Sequence, residues 1–502
     1  MPTRDEAIQT LTSPGGMFEI GEADVLDQSL RVYVHAPASL RDVWAATEVH
    51  AAKAFFVYAG ERTTYAAAHA KVRQLAKHLL DRGVGKGDRV AIGMRNYPEW
   101  PLAFWACQSI GAITVSLNAW WLANELEYAL RDSGSSALLI DGERYERIAE
   151  LIPSLGVKSV LVARGGALAG GALAWSDVVT GDDPGPLPAI EIAPDDDATI
   201  LYTSGTTGNP KGAVGSNRNH VTNLMNTFLG GAAALMVAAP VDGSPAPAPA
   251  PSVGLCTFPF FHIGGLTTMY VLVATGACIV TQYKWDVDDA LNLIEDEKIT
   301  AIAGVPTVVR ALLEHPDAPN RDLSSLAAIS QGGSPVPPDS IAKIETEFAG
   351  KVSPGNGYGL TETTSAVVAN TGAMYFSHKD SVGKPVPVCD VKIVDDQGTA
   401  LGLGEVGELL VRGPNNVRGY WHKDEETATA FTNGWFTPAT RHASTRTGSS
   451  TSSTGSRTSC CAAARTSTPP RSRPRSSSIP TSPTSPSSVC PTLRSARRSW
   501  RW

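Results

Sequence analysis

The sequence predicts an α/β fold in which parallel strands are covered by helices. Between residues 64 and 162, short apolar segments of strand length alternate with longer segments of helical periodicity. This alternation is typical of βαβ units, whose strands are buried on both faces. The length of 502 residues and the hydrophobic fraction of 42% are enough for a large core and for more than one domain.

The alternation can be followed element by element. The predicted elements are a helix from Thr64 to Gly83, a strand at 89–94, a helix at 98–109, and strands at 111–117, 138–140 and 159–162. Residues 165–185 are rich in glycine, alanine and aspartate, and we predict a solvent-exposed connector there. Glycine and threonine interrupt the apolar run 263–280, which therefore predicts a buried helix followed by a strand and not a membrane span.

Charge and cysteine usage narrow the function classes. The net charge of −7 gives no reason to expect a nucleic-acid partner. The first thirty residues lack a basic segment followed by an apolar one, so we expect no export signal and a cytoplasmic location. The sequence contains no Cys-x-x-Cys pair of the kind that indicates zinc or redox chemistry. The surroundings of four of the seven cysteines predict buried thiols, at Cys107, Cys256, Cys278 and Cys389.

The stretch 200–212 has the composition of a phosphate-binding loop. Small residues let the backbone bring its N–H groups toward a polyanion, while hydroxyl groups and an ammonium group supply further donors. The candidate ligands are Thr203, Ser204, Gly205, Thr206, Thr207, Gly208 and Lys211. The stretch is not a Walker A loop, because Lys211 follows a proline and precedes a glycine. An ordinary flexible turn is the alternative for a fragment of it.

Two strand-to-glycine junctions, at 302–307 and 329–335, could accept a planar base. Glycine just beyond a strand leaves a flat surface with exposed backbone. A tight strand exit is the alternative interpretation of either junction alone. Downstream, residues 404–413 and the alternation of Val388, Val391 and Ile393 predict half-buried antiparallel strands. The proline-rich run 241–251 is predicted to loop over the surface.

Two of these motifs carry a resemblance to a known family. Tyr202 to Gly212 resembles the signature loop of the AMP-forming adenylating superfamily, and Asn356 to Glu362 is similar to a second signature in the same order. The resemblance covers roughly residues 40–436. It implies an N-terminal extension at 1–39 and a large domain at 40–436 built from two helix-covered mixed β-sheets. A small distorted β-barrel at about 376–436 and a C-terminal α+β lid complete the family's fold.

The resemblance also implies roles for individual residues. The adenine ring would lie between Tyr358 and the junction formed by Gly332, Gly333, Ser334 and Pro335, with Asn356 and Gly357 beside it. Glu362 would hold Mg²⁺, which prefers hard oxygen ligands, and Thr361 and Lys211 would help neutralise the phosphates. His262 corresponds to a family histidine near the acyl entrance. Without the family, Glu362 would be read as a surface acid and His262 as a packed side chain.

The activity implied is a two-step ligation that uses ATP, Mg²⁺ and coenzyme A. A carboxylic acid is first converted to an acyl-adenylate, and a thiol then displaces AMP. We expect an acyl-CoA ligase, with a fatty acid as the first candidate substrate. An amino-acid adenylation enzyme or a luciferase-like oxygenase is the alternative. The sequence indicates neither the chain length of the acid nor the oligomeric state.

Residues 437–502 differ in kind from the rest of the chain. They contain no Asp, Glu, Lys, Phe or Tyr and are rich in Ser, Thr, Pro and Arg, a composition that predicts a disordered tail. The family's ribose-binding aspartate and catalytic lysine have no counterpart there, so the lid is absent or scrambled. Read one nucleotide out of register, the segments 437–440, 445–455 and 462–473 can encode the family's C-terminal motifs in order.

Our hypothesis is therefore a frameshift near the codon of Phe436, from a mutation or a sequencing error. A basic tail selected to bind a membrane surface or a nucleic acid is the competing interpretation. A third hypothesis follows from the missing lysine: the polypeptide as written is a nucleotide-binding protein with little turnover.

Overall fold

The computed structural model describes residues 2–203, 209–239, 252–402 and 404–438, together with the backbone of 441–445 and 459–461. The helices are α1 (Arg4–Thr12), α2 (Leu40–Ala45), α3 (Tyr65–Asp81), α4 (Glu99–Ser109), α5 (Ala123–Ser133), α6 (Gly142–Ile148), α7 (Trp175–Val178), α8 (Asn217–Ala238), α9 (Ile263–Ala274), α10 (Val287–Glu297), α11 (Pro306–Leu313), α12 (Pro338–Glu347), α13 (Gly372–Ser377) and α14 (Asp424–Ala430).

The residues predicted to bind the nucleotide lie at the ends of strands and in the connections between them. They are β1 (Ile20–Val25), β2 (Gln28–Tyr33), β3 (Ala54–Tyr58), β4 (Glu61–Thr64), β5 (Arg89–Gly93), β6 (Ile113–Ser116), β7 (Ala137–Asp141), β8 (Ser159–Ala163), β9 (Leu173–Ala174), β10 (Asp197–Thr203), β11 (Lys211–Ser216), β12 (Val253–Cys256), β13 (Cys278–Val280), β14 (Ala301–Gly304), β15 (Ala328–Gly332), β16 (Ser353–Leu360), β17 (Ser365–Thr371), β18 (Lys384–Pro385), β19 (Asp390–Val394), β20 (Val406–Arg412), β21 (Phe431–Thr432), β22 (Trp435–Phe436), β23 (Arg441–Thr445) and β24 (Ser459–Cys461).

The first sheet has the strand order β11-β10-β6-β5-β7-β8-β9 within the described residues. Its strands are parallel except that β11 returns antiparallel to β10. The predicted helices and strands between 64 and 162 are confirmed within a few residues. Thr64 caps α3 by accepting a hydrogen bond from the N–H of Ala67 at 3.2 Å, as expected of an N-cap threonine.

The prediction of a plain connector at 165–185 is wrong in part. Most of this segment is exposed, but β9 adds a parallel edge strand to β8 and α7 follows it directly. Leu173, Trp175, Val178 and Val179 all pack against the main hydrophobic core, so apolar side chains hold the segment to the sheet here. The composition of the segment does not indicate this short strand.

The second sheet is mixed and has the order β18-β17-β16-β15-β14-β12-β13-β3-β4. Strands β3, β13, β12, β14, β15 and β16 run parallel, and β17 and β4 pair antiparallel at its two sides. The helix and strand predicted in the apolar run 263–280 are α9 and β13. A third sheet contains β19 and β20 in antiparallel register, as the alternating pattern predicted.

The first 33 residues fasten the middle of the chain to the third sheet. Helix α1 lies against α8, and the hairpin of β1 and β2 reaches β19 through an ion pair between Arg31 and Asp390 at 2.6 Å. The hydroxyl of the buried Tyr33 donates a hydrogen bond to Asn226 of α8 at 2.7 Å. This hairpin was not predicted from the sequence.

A buried ion pair fixes the carboxyl end of the first sheet. Asp141 ends β7 and caps α6, and its carboxylate lies 2.7 Å from Arg144, whose side chain is fully buried. The Arg144 Nε also donates a hydrogen bond to the carbonyl of Ala119 at 2.6 Å, and the backbone N–H of Arg95 donates to Asp141. Three connections of the sheet therefore meet at one ion pair.

Helix α8 is the one described helix that is long and apolar enough to cross a membrane by length and composition. Only part of it is buried, and its first three turns pack in the core with α9. A core helix passes the same test, so α8 carries no membrane assignment.

The four predicted buried thiols are confirmed as free and buried. The proline-rich run 241–251 lies outside the described residues, as does most of 437–502 apart from β23 and β24, which extend the third sheet. The domain boundaries at 39 and 436 stay predictions.

Candidate active site

The predicted phosphate-binding loop closes a hairpin at the edge of the first sheet. Thr203 ends β10 and pairs with Lys211, the first residue of β11, and its hydroxyl donates to the Lys211 carbonyl at 3.4 Å. The predicted ligands Ser204, Gly205, Thr206, Thr207 and Gly208 lie outside the described residues. Their role in phosphate binding stays a prediction, whereas both ends of the loop are held in register.

A second chain segment lies alongside β11 and carries an aromatic residue to the mouth of this hairpin. Residues 418–421 exchange backbone hydrogen bonds with β11, from Val214 to the carbonyl of Gly419 at 3.0 Å and from Trp421 to the carbonyl of Gly212 at 2.8 Å. Arg418 forms a two-pronged ion pair with Asp197 of β10 at 2.8 and 2.9 Å. The 418–421 segment is thus tied to both strands of the hairpin.

Tyr420 joins Lys211 to Glu362, two of the predicted catalytic residues. The Lys211 ammonium lies 4.7 Å from the centroid of the Tyr420 ring, within the range of a cation–π interaction. The Tyr420 hydroxyl donates a 2.8 Å hydrogen bond to Oε1 of Glu362. Burial, and then the neighbouring Glu362 carboxylate, hold the pKa of Tyr420 well above its usual value, so this hydroxyl keeps its proton.

Glu362 is buried, with 8% of its surface exposed, and therefore is not the surface acid that an isolated glutamate would suggest. It lies in a 3-10 turn that begins at Thr361, directly after β16. The backbone carbonyl of Glu362 accepts from Val417 at 2.9 Å, and Asn415 donates to the carbonyl of Thr363 at 2.7 Å. Backbone and side-chain contacts from both sides therefore fix the turn.

The backbone around this turn is strained in a way that is common at functional sites. Thr364 and Ser365 both adopt left-handed conformations, with φ of 45° and 75°. A side chain at Gly359 would meet the carbonyl oxygen of Ser365, so only glycine permits the close approach of β16 and β17 there. The strain places Glu362 at a fixed point between the two sheets.

The predicted base-binding residues meet on β15 and β16. Gly332 lies opposite Gly357 and Gln331 opposite Asn356 in the parallel register, and Gly333, Ser334 and Pro335 follow as an exposed segment. Gly333 has a φ of +75°, a conformation that favours glycine. Asn356 and Tyr358, two positions apart on β16, point to the same face of the sheet. The result is a flat glycine edge with an aromatic ring and an amide on one side.

Tyr375, a buried residue of α13, lies near the Asn356 side chain. Burial raises the pKa of Tyr375 to about 12, and the Asn356 amide lowers it by a smaller amount.

His262 caps the N-terminus of α9 by accepting a hydrogen bond from the N–H of Gly264 on Nδ1 at 3.1 Å. The residue is exposed, yet desolvation by the surrounding protein lowers the pKa of its imidazole. Phe258 lies close to both Gly264 and Gly333, and Thr267 of α9 donates to Ser365 at 3.3 Å. His262 thus caps a helix that contacts the turn after Glu362 directly, and Phe258 lies between the start of this helix and Gly333.

The donor set fits a hard cation that is shared with a phosphate. The described residues contain no group of three or more His, Cys, Asp or Glu side chains that could hold a metal alone. Glu362 is a buried carboxylate with a tyrosine hydroxyl as its side-chain partner and, in the described part of the chain, no cationic side chain in an ion pair with it. One carboxylate plus phosphate oxygens is a usual Mg²⁺ environment.

Two residues of this arrangement were missed by the sequence reasoning. Tyr420 lies 58 positions after Glu362 and 209 positions after Lys211 in the sequence, and no local pattern links it to either residue. Asn219 of α8 donates hydrogen bonds to the carbonyls of Pro414 at 2.8 Å and Asn416 at 2.9 Å, and so holds the segment that leads to Tyr420. An asparagine near a helix N-terminus signals only a cap.

Comparison with a solved structure supports the fold. The inhibitor-bound N-terminal domain of FACL13 from Mycobacterium tuberculosis superposes with a TM-score of 0.69 at 24% identity, and the match covers 81% of this chain and 97% of that one. The described α/β architecture with two mixed sheets is therefore that of a known domain, and the predicted fold class is confirmed.

Sequence comparison adds the family. Feruloyl-CoA synthase from Amycolatopsis sp is 33% identical over 383 residues, which cover 76% of this chain and 70% of the relative. A long-chain-fatty-acid–CoA ligase from Escherichia coli O157:H7 is 29% identical over 442 residues, with 82% and 72% covered. A family model described as AMP-binding enzyme matches residues 43–421, which include Lys211, Glu362 and Tyr420. The chain belongs to the AMP-binding enzyme family.

Proposed function

We propose that this chain activates a carboxylic acid with ATP and transfers the acyl group to the thiol of coenzyme A. The observation that carries the proposal is the meeting of Lys211, Tyr420 and Glu362 at the hairpin of β10 and β11, with Glu362 directly after β16, the strand that forms the glycine edge with β15. One part offers charge for phosphates and the other a flat surface for a base. Relatives of the chain that are named as CoA ligases support the acid and thiol as co-substrates.

The reaction requires the protein to place the carboxylate, the ATP phosphates and the thiol correctly, and it needs no nucleophilic side chain. In the first step a carboxylate oxygen attacks the α-phosphorus of ATP, and the bond to the bridging oxygen breaks to release pyrophosphate. In the second step the thiol sulfur attacks the acyl carbon, and AMP leaves with the electron pair of the broken C–O bond. Lys211 and the loop neutralise charge on the phosphates, and the fixed Glu362 carboxylate holds a position for Mg²⁺ beside them.

The identity of the acid is a further part of the proposal. We infer a fatty acid first and an aromatic acid second, since the relatives include a long-chain-fatty-acid–CoA ligase and a feruloyl-CoA synthase. His262, at the end of α9, would face the acyl entrance. A cytoplasmic location is proposed on the same sequence grounds as before, and peripheral contact with a membrane is the alternative that remains for a fatty-acid ligase.

Exchange of labelled pyrophosphate into ATP tests the proposal. The assay detects the first step alone, with a panel of fatty, aromatic and amino acids as activators. We expect exchange with a fatty or aromatic acid and none without an acid. Exchange only with an amino acid would favour an adenylation enzyme of the peptide-synthetase type, and no exchange together with no ATP binding would refute the proposed function.

A second candidate, a nucleotide-binding protein with little turnover, is favoured by the composition of 437–502, which contains no lysine and no aspartate. It predicts normal ATP binding and a very low rate of acyl-CoA formation. The frameshift hypothesis explains the same observation, and resequencing of the coding DNA across the Phe436 codon tests it. An unshifted reading frame without the family's C-terminal motifs would contradict it.

A further inference from the structure

Tyr420 is buried and held by contacts with several elements around the site. Only 7% of its surface is exposed, and its ring packs edge-on to Phe431 with centroids 6.1 Å apart. Its backbone forms a bridge with Ala213 of β11, and its N–H donates to the Thr427 hydroxyl of α14 at 2.9 Å. Neither the ring nor the hydroxyl can move without breaking these contacts.

The segment that carries Tyr420 is anchored at both ends. On the N-terminal side, Asn219 donates to the carbonyls of Pro414 and Asn416, and Arg418 pairs with Asp197. On the C-terminal side, the indole N–H of Trp421 donates to the Asp132 carbonyl at 3.2 Å. These anchors lie on α8, β10 and α5, so three elements of the first sheet region determine where the Tyr420 hydroxyl points.

Both functional groups of the tyrosine are then used. The hydroxyl donates to one oxygen of the buried Glu362 carboxylate, which leaves the other oxygen for a further partner. The face of the ring holds the Lys211 ammonium at 4.7 Å, near the end of the loop that awaits phosphate. A carboxylate that ligates a metal is itself usually oriented by such a hydrogen bond, and loss of the orienting group lowers metal affinity.

We propose that Tyr420 is a positioning residue that sets Glu362 for a divalent cation and holds Lys211 ready for the phosphates of ATP. This role rests on the proposed function, because it assumes that ATP and Mg²⁺ bind here. The hydroxyl serves the carboxylate and the ring serves the ammonium. The two contributions can therefore be separated by two substitutions, Tyr420→Phe and Tyr420→Leu.

The test measures the dissociation constant of ATP by calorimetry, once with EDTA and once with saturating Mg²⁺, for the full chain. Tyr420→Phe keeps the ring, so ATP binding in EDTA should equal that of the wild type, while the gain in affinity that Mg²⁺ brings should fall roughly ten- to a hundredfold. Tyr420→Leu should lose this gain and should also bind ATP a few-fold more weakly in EDTA, because Lys211 loses the ring on which it rests.

A matched control and a double mutant make the result specific. Tyr145→Phe removes another tyrosine hydroxyl, one that bonds to the carbonyl of Ala169 away from the site, and should leave both constants unchanged. If Tyr420 acts through Glu362, then Tyr420→Phe should add no further loss of the Mg²⁺ gain to a chain that already carries Glu362→Gln. Additive losses would mean that the hydroxyl acts elsewhere.

The outcomes distinguish this role from the proposed function. If Tyr420→Phe gains as much ATP affinity from Mg²⁺ as the wild type does, the role of the hydroxyl is overturned. ATP binding by the wild type would still support the proposed function in that case. A lower free energy of unfolding in Tyr420→Phe with an unchanged Mg²⁺ gain would mark a purely structural tyrosine. Failure of the wild-type chain to bind ATP under either condition would refute both.

Discussion

Asp141 and Glu362 are both buried carboxylates at the end of a strand, yet the protein treats them differently. Asp141 accepts hydrogen bonds from two backbone N–H groups and pairs with the fully buried Arg144 at 2.7 Å. Among the residues that the structure describes, Glu362 has one side-chain hydrogen-bond partner, the neutral hydroxyl of Tyr420. Since a buried charge is costly unless it is compensated, the first carboxylate belongs to the scaffold, and we propose that the second is held for a cation that comes from outside.

Removal of Arg144, the partner of Asp141, should have the largest effect on the free energy of unfolding. Arg144→Met leaves Asp141 buried without its counter-charge and removes the donor to the Ala119 carbonyl. We expect a loss of about 3–5 kcal/mol in the free energy of unfolding. Urea denaturation measures the free energy of unfolding. The control is Lys77→Met, which breaks the exposed ion pair of Lys77 with Asp81 and should change stability by less than about 1 kcal/mol. A small loss for Arg144→Met would mean that Asp141 is not held by charge.

Acid should weaken the scaffold through its buried imidazoles. Burial lowers the pKa of His69 to about 4 and that of His220 to about 3, so both stay neutral in the folded protein while the unfolded chain takes up protons near pH 6.5. The unfolded state then binds more protons, and stability falls as the pH drops from about 6.5 toward 4.

The expected loss is on the order of 2–3 kcal/mol for each imidazole. Thermal unfolding measured from pH 7 to pH 4 tests the direction, and His69→Gln should reduce the slope because one titrating group is gone. A stability that is flat or rises toward pH 4 would contradict this prediction.

Release of the Tyr420 segment should have a smaller effect on stability and a visible effect on the site. Asn219→Asp keeps the oxygen that caps α8 but can no longer donate to Pro414 and Asn416, whose carbonyls are left without that partner. We expect a loss of about 1–3 kcal/mol in unfolding free energy and a reduced Mg²⁺ gain in ATP affinity. An unchanged Mg²⁺ gain would mean that the segment does not depend on α8.

Substitution of the Glu362 carboxylate should have the smallest effect on the free energy of unfolding. Glu362→Gln keeps the shape and the acceptor for Tyr420 while it removes an uncompensated buried charge. We therefore expect the free energy of unfolding to stay within about 1 kcal/mol of the wild type or to rise. Asp141→Asn is the matched substitution on the scaffold side and should lower stability clearly. Equal losses for the two would erase the distinction between the carboxylates.

The sequence predicted the elements more fully than their contacts. The helix at 65–81, the strands around it and the helix–strand pair in 263–280 follow from periodicity, because each buries its own apolar face. The glycine edge of β15 and β16 also follows from local composition. Lys211 and Glu362 could be named from their motifs, and the structure adds Tyr420, which contacts both of them.

The remainder depended on long-range packing that no local pattern records. The Asp141 and Arg144 spacing predicts at most a surface pair on a helix, and only the sheet that covers it makes it a buried one. Tyr420 reaches Lys211 because a connecting segment pairs with the edge strand β11. The hairpin at 20–33 is held by residues far along the chain, since Arg31 contacts Asp390 and Tyr33 contacts Asn226. The predicted phosphate ligands at 204–208 stay predictions.

The central claim is that Glu362 is held for a cation that accompanies ATP. Calorimetric titration of ATP into wild type and Glu362→Gln, with EDTA and with Mg²⁺, tests it most directly. We predict that both proteins bind ATP similarly in EDTA and that only the wild type gains affinity when Mg²⁺ is present. An equal Mg²⁺ gain in both proteins, or ATP binding by the wild type without any gain, would contradict the claim.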